Sequence, residues 1–337
     1  MDSFMDLFPD FDPNAPGEEG SFFGLPHSPD QAKFIIIPIP WDVTVSYHEG
    51  CSRAPLAIKE ASLQVDLSLN GIKSPWAAGI SAIDFPQDLL KENKQLRELV
   101  IKGGNQDAVN EGSEKLNQWV QERSSEILNQ AKFPIALGGD HSTPLGLMQA
   151  LAHSYEGYGI LQVDAHADLR EAYEGYTGSH ASIMHNALKI PQVEKLVQVG
   201  IRDFCEEEEE RIQNDDRVST FFYEALMEER FEGKNWKDQC KDIVNQLPQN
   251  VYLSLDVDGL DPKLCPNTGT PVPGGLEYYE LIYLVKAVVD SGRTIIGFDL
   301  SEVSPGEDND WDANVGARLL YHIAAWAGVS WGWLDGV

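Results

Sequence analysis

A chain of 337 residues with 54 acidic against 25 basic side chains carries a formal net charge of -29, which disfavours nucleic acid and anionic membrane partners, because both are bound chiefly through Lys and Arg. Hydrophobic residues make up 42% of it, enough for a large core, and no apolar run approaches the roughly 20 residues that span a bilayer. The four cysteines, Cys51, Cys205, Cys240 and Cys265, form no Cys-x-x-Cys pair, which argues against a zinc ribbon or a redox dithiol.

Residues 1–30 are rich in Asp, Pro, Gly and Phe and lack helical or strand periodicity. They predict an N-terminal arm ahead of one folded unit over 31–337. The arm opens acidic, without the basic then apolar order of a signal peptide, which predicts a cytoplasmic protein. Its aromatic residues, Phe4, Phe8, Phe11, Phe22 and Phe23, predict a segment that docks on a neighbouring subunit.

From Phe34 onward, short apolar β-branched runs alternate with longer amphipathic ones. The runs Phe34 to Pro40, Ala77 to Ile83, Phe133 to Leu137, Gly159 to Val163, Leu196 to Ile201, Ser219 to Tyr223, Val251 to Leu255 and Thr294 to Leu300 predict strands. Stretches such as Asn105 to Ala131, Pro144 to His153, Lys237 to Gln246 and Leu276 to Ser291 predict the helices between them. Strands alternating with helices mean parallel crossovers, hence a doubly wound α/β sheet covered on both faces. Ligands in such sheets bind beyond the carboxyl ends of the strands. The acidic run Glu206 to Glu210 predicts a solvated helix face or loop without chemistry.

Three of the predicted strands end in ligand-type residues. Ile135-Ala136-Leu137 leads into Gly138-Gly139-Asp140-His141-Ser142, where the glycines permit a tight turn presenting His141. Ile160 to Val163 leads into Asp164-Ala165-His166-Ala167-Asp168. In extended backbone, side chains at i, i+2 and i+4 share one side, so Asp164, His166 and Asp168 converge. Val251 to Leu255 leads into Asp256-Val257-Asp258, again with two carboxylates at i and i+2.

Two imidazoles and four carboxylates crowded together need positive charge between them. Six such donors match two divalent cations held about 3.5–4 Å apart by bridging carboxylates. Hard oxygen donors with some imidazole point to manganese, Mn2+, with Ni2+, Co2+ or iron as alternatives and thiolate-rich zinc disfavoured. Two ions sharing a water lower its pKa toward neutrality, so hydrolysis is the natural reaction. A binuclear metallophosphatase would use similar ions but more histidines and an Asn ligand, and would release phosphate. A non-catalytic metal-binding protein would load metal without turnover.

These three motifs, with Gly50-Cys51-Ser52-Arg53-Ala54-Pro55, Thr268-Gly269-Thr270-Pro271-Val272-Pro273 and Gly297-Phe298-Asp299-Leu300-Ser301-Glu302-Val303-Ser304-Pro305, resemble the signatures of the ureohydrolase (arginase/agmatinase) family. The resemblance runs from about Phe34 onward. It implies an arginase-like three-layer α/β/α fold with an eight-stranded parallel sheet, two Mn2+ ions and hydrolysis of a guanidino compound to urea and an amine. By motif, one ion would be held by His141, Asp164, Asp168 and Asp256, the other by Asp164, His166, Asp256 and Asp258.

The resemblance further implies that Glu302 pairs with the substrate guanidinium and that His180 shuttles a proton near the leaving group. Asp140 would orient a ligand and Asp261 the turn before Pro262; His27, His48, His153, His185 and His322 are read as structural. Relatives form homo-oligomers, trimers or hexamers. Asp168-Leu169-Arg170 followed by Tyr176 and Ser179-His180-Ala181 is closest to agmatinase-like members, which implies agmatine as the cationic substrate and putrescine, a polyamine, as product. Met184-His185-Asn186 stands where those members carry paired arginines. Guanidinobutyrate, guanidine and arginine are the alternative substrates.

Overall fold

Eight strands hydrogen-bond into one parallel sheet, and the computed structural model describes residues 7–336 of the chain, leaving Phe4 outside them. The strands are β1 (Phe34–Pro38), β3 (Ile80–Ala82), β4 (Phe133–Leu137), β5 (Tyr158–Val163), β6 (Val193–Val199), β7 (Val218–Phe221), β8 (Asn250–Asp256) and β9 (Thr294–Ser301), in the order β3-β1-β4-β9-β8-β5-β6-β7. A separate antiparallel pair joins β2 (Ile72–Lys73) to β10 (Asp335–Gly336).

The central strands are largely apolar on both faces because helices cover both. Alternate residues supply two different cores. Phe133, Ile135, Leu161, Val163, Leu253 and Phe298 pack on one side with Ile58, Ile243, Leu284 and Leu320, from helices Ala54–Ser62, Trp236–Val244, Tyr278–Asp290 and Trp311–Ser330. Ile35, Ile37, Ala136, Tyr158 and Ile160 pack on the other with Leu96, Val120, Leu147 and Ile183, from helices Gln87–Ile101, Gln106–Asn129, Leu145–Ser154 and Ile183–Ala187. The result is the three-layer α/β/α arrangement that alternation of strand and helix predicts. Asn105 caps the longest helix by accepting from the Asp107 and Ala108 N–H groups.

The register sets the height at which the strands end. Leu137 pairs with Leu300, Leu300 with Leu255, and Leu255 with Val163. The four adjacent strands β4, β9, β8 and β5 therefore finish level, and whatever follows each of them meets at one place. Chain order also reverses here, with β4 and β5 on opposite sides of the β9/β8 pair, which opens a crevice between loops that turn in opposite directions.

Part of the first 30 residues packs on the chain's own core. Phe22–Gly24 forms a 3-10 turn with Phe22 and Phe23 buried. The Phe23 N–H donates to Ser62 Oγ at 2.8 Å, and its ring lies 4.9 Å from that of Tyr321. Of the run Ala77 to Ile83 only Ile80–Ala82 is strand, because Pro75–Ala78 is taken up by a 3-10 turn that ends at Gly79 in left-handed backbone. Among the described residues, no helix is long and apolar enough to cross a membrane.

Candidate metal centre

His141 stands four residues beyond β4, on a turn that only glycine allows. A Cβ on Gly139 would lie 1.8 Å from the Trp41 carbonyl oxygen, while the Asp140 N–H donates to that same oxygen at 2.8 Å. The turn brings His141 Nδ1 to 2.9 Å from Asp164 Oδ2, 3.0 Å from Asp168 Oδ2 and 3.4 Å from Asp256 Oδ2. Its Nε2 lies 2.9 Å from Ser254 Oγ, and Ser254 donates to Asp299 Oδ1 at 2.9 Å. Asp299 also accepts from the Tyr252 hydroxyl, the Ser301 hydroxyl and the Leu255 N–H. A buried carboxylate with four donors is rigid, and it fixes the imidazole through the serine.

Beyond β5 the backbone leaves the strand at once. The predicted convergence of Asp164, His166 and Asp168 occurs, but not through extended backbone: β5 ends at Val163, and Asp168 adopts a left-handed φ of 54°. His166 Nδ1 lies 3.0 Å from Asp258 Oδ2 and 3.6 Å from Asp164 Oδ1. Asp258 sits on the short turn after β8, where its N–H donates to Asp256 Oδ1 and its own Oδ1 accepts from the Ala165 N–H. Gly259 must be glycine here, since its Cβ would lie 2.5 Å from the Asp164 nitrogen.

Five of the six sequence-predicted donors thus meet in two groups that share Asp164: His141 with Asp164 and Asp168, and His166 with Asp164 and Asp258. Asp256 borders the first group. All are buried except His166, whose side chain is 24% exposed. Among the described residues, no Lys or Arg side chain pairs with any of the four carboxylates.

The electrostatics make the same point. Burial and the neighbouring Asp258 and Asp164 push Asp256 well above the usual carboxylate range, and burial with Asp164 pushes Asp168 to about 7. Burial disfavours charge on His141 and His166, yet the adjoining aspartates hold both well above the ordinary imidazole range. Left to itself the cluster must take up protons to balance its charge. Divalent cations do this without protons, so the donor set fits them.

Glu302, directly after β9, is buried, with φ 63°. Its Oε1 accepts from the His141 N–H at 2.9 Å, and its Oε2 has no partner. Such strain and lack of satisfaction in one residue concentrate at functional sites. His180 Nδ1 is 4.0 Å from Glu302 Oε1, and His180 Nε2 is also buried without a partner. Burial, then the positive His166 and His141, push the His180 pKa down to about 3, leaving a neutral ring. A cavity of about 150 Å3 opens on His166, Asp168 and His180, with Arg170, Tyr173 and Asp203 at its rim. A larger cavity of about 810 Å3, between the N-terminal segment and residues 63–67, contains no imidazole.

Hydrolases that seat a pair of divalent cations beyond the strand ends of a parallel α/β sheet are the class this fold and donor set define. Residues 32–325 match the model of the Arginase family, and the chain belongs to that family of ureohydrolases, which act on guanidino C–N bonds. The N(1)-aminopropylagmatine ureohydrolase of Thermus thermophilus is 31% identical over 318 residues, covering 93% of this chain and 97% of the relative. The agmatinase of Bacillus cereus is 27% identical, covering 86% and 89%. Among solved structures, the agmatine ureohydrolase of Thermoplasma volcanium shares the fold with a TM-score of 0.74 at 24% identity, covering 97% of this chain and 98% of the other. The arginase from Medicago truncatula does so with a TM-score of 0.68 at 24% identity, covering 88% of each.

Two sequence expectations change. The acidic run is not wholly solvated: Glu208 is buried in helix Glu206–Asn214, accepting from the Cys205 and Leu169 N–H groups. It ties the segment after Asp168 to that helix and lies 3.7 Å from Arg170, whose guanidinium sits over Tyr173. Asp140 does not bond to the His141 ring; its Oδ1 accepts from the Ser142 N–H and closes the turn that carries His141. Asp261 does fix its turn, accepting from the Lys263 N–H. The sequence reading overlooked Asp299, although a carboxylate inside the apolar run Thr294 to Leu300 is itself a signal.

Proposed function

We propose that this ureohydrolase hydrolyses agmatine to putrescine and urea, using two manganese ions. One ion would be held by His141, Asp164, Asp168 and Asp256, and the second by Asp164, His166, Asp256 and Asp258, with nickel or cobalt as alternatives. Two divalent cations bound there supply the Lewis acidity that makes water nucleophilic near neutral pH. The observation that carries the reading is the unpartnered, buried Glu302 Oε2 beside a cluster of metal-binding donors. A planar guanidinium offers that carboxylate the paired donors it lacks. His180, buried beside the cluster with an unpartnered Nε2, would relay a proton to the departing amine.

N(1)-aminopropylagmatine is the second reading, favoured by the name of the 31% identical Thermus relative. Both candidates are guanidino alkylamines with further positive charge, which suits a chain of net charge -29. We also assign a cytoplasmic location, supported by four unpaired thiols, three of them buried, and a homo-oligomer, as the family resemblance implies. The test is urea release from agmatine, N(1)-aminopropylagmatine, guanidinobutyrate, guanidine and arginine after loading with manganese, nickel or cobalt. Agmatine should give the highest kcat/KM with manganese. Turnover of arginine alone would overturn the substrate assignment.

A further inference from the structure

Beneath the cluster one polar residue from each of five adjacent strands lines up in a row across the sheet. The register pairs Thr220 of β7 with Gln198 of β6, Gln198 with Gln162 of β5, Gln162 with Ser254 of β8, and Ser254 with Asp299 of β9. Gln162, Gln198, Ser254 and Asp299 are each fully buried. Their neighbours along the strands, Leu161, Val163, Val197 and Val199, are apolar and buried as well. Two glutamine amides in such a layer are unfavourable unless every group is paired.

Every group in the Gln162 and Gln198 amides is paired, and all the bonds run one way. The Thr220 hydroxyl donates to Gln198 Oε1 at 2.7 Å. Gln198 Nε2 donates to Gln162 Oε1 and to the Ala167 carbonyl, both at 2.7 Å. Gln162 Nε2 donates to Asp164 Oδ2 at 2.8 Å and to the His166 carbonyl at 3.2 Å. Each amide is locked in one orientation, because a reversed Gln162 would set its oxygen against the Asp164 carboxylate. Two of the acceptors, the His166 and Ala167 carbonyls, belong to the loop that carries Asp164, His166 and Asp168. The row therefore holds both the shared carboxylate and the backbone around it.

We propose that Gln198 and Thr220, which touch neither cation nor substrate, are positioning residues for the metal centre. They act through Gln162 and the Ala167 carbonyl to fix how Asp164 and the 164–168 loop are presented. This rests on the ligand assignment above. Hydrogen bonds aligned in series polarise one another, so loss of a distant member is felt at Asp164.

The experiment titrates metal-free protein with manganese(II) alone and records its affinity and its electron paramagnetic resonance spectrum. Gln198→Met, which keeps length but removes donor and acceptor, should weaken manganese binding about tenfold, as loss of a ligand's supporting partner does. Thr220→Val should weaken it in the same sense, whereas Thr220→Ser, which keeps the hydroxyl, should bind like the wild type. Packing alone predicts the opposite order, since serine leaves a gap that valine fills. Unchanged affinity in Gln198→Met and Thr220→Val, or weaker binding in Thr220→Ser than in Thr220→Val, would overturn the proposal. If Gln198→Met fails to fold, the Thr220 pair decides. A wild-type chain that binds no manganese would instead overturn the ligand assignment itself.

Discussion

The His141 N–H donates to Glu302 Oε1 at 2.9 Å across 161 residues of chain, and Oε2 of the same buried carboxylate has no partner. One oxygen is thus committed to the fold and the other is left for a ligand. Glu302→Gln preserves the shape and can still accept from His141, but removes the charge. A hydrogen bond to a charged group contributes ~1.5–3 kcal/mol, so kcat/KM for the guanidino substrate should fall about 10–150-fold. Steady-state urea release, with manganese content measured in parallel, checks it. An unchanged kcat/KM at full metal content removes Glu302 from substrate binding.

Asp256 lies between the two donor groups, 3.4 Å from His141 Nδ1 and bonded through Oδ1 to the Asp258 N–H. Asp256→Ala takes one negative charge from the proposed bridge and leaves each cation a ligand short. Turnover should disappear, and elemental analysis after dialysis should find fewer than two ions per chain. Full activity in this variant would contradict the assignment.

Glu208 closes two ends at once, the buried Leu169 N–H on Oε1 and the half-buried Cys205 N–H on Oε2. Glu208→Ala leaves both donors unpaired, at roughly 1–3 kcal/mol each. Chemical denaturation should show a loss of about 2–6 kcal/mol. Because the segment it anchors also carries Arg170 and Tyr173 at the rim of the cavity, KM should rise more than kcat falls. A stability matching the wild type would mean these amides find other partners.

His322 Nδ1 shares a hydrogen bond of 2.6 Å with the Tyr278 hydroxyl, and burial, with Arg318 nearby, lowers its pKa from 6.5 to about 4. The unfolded chain binds the proton near 6.5 and the folded chain only near 4, so the folded state loses stability as pH falls through that window. Above it the contribution is fully present. Melting temperatures of wild type and His322→Gln, compared from pH 7 to pH 4.5, should converge or cross on the acid side. Parallel curves would show that His322 does not contribute to acid sensitivity.

Much of this architecture was legible in the amino-acid order alone. Runs such as Phe34 to Pro40 and Phe133 to Leu137 are apolar at every position, which is what a strand buried on both faces requires. Asp164, His166, Asp168, Asp256, Asp258 and His141 stand just beyond such runs, and unpaired donors of that kind are too unfavourable to gather without a counter-charge.

Other features depended on partners far away in the chain. Glu208 reads as one of five solvated glutamates until the helix docks against Leu169, and Gln162, Gln198 and Thr220 read as ordinary polar interruptions until the register aligns them. Local sequence determines how a segment twists, which face is apolar and what chemistry it carries. The order β4-β9-β8-β5, the level strand ends and the direction of the hydrogen bonds beneath Asp164 were decided only by tertiary structure, because each is a relation between segments that no single segment encodes.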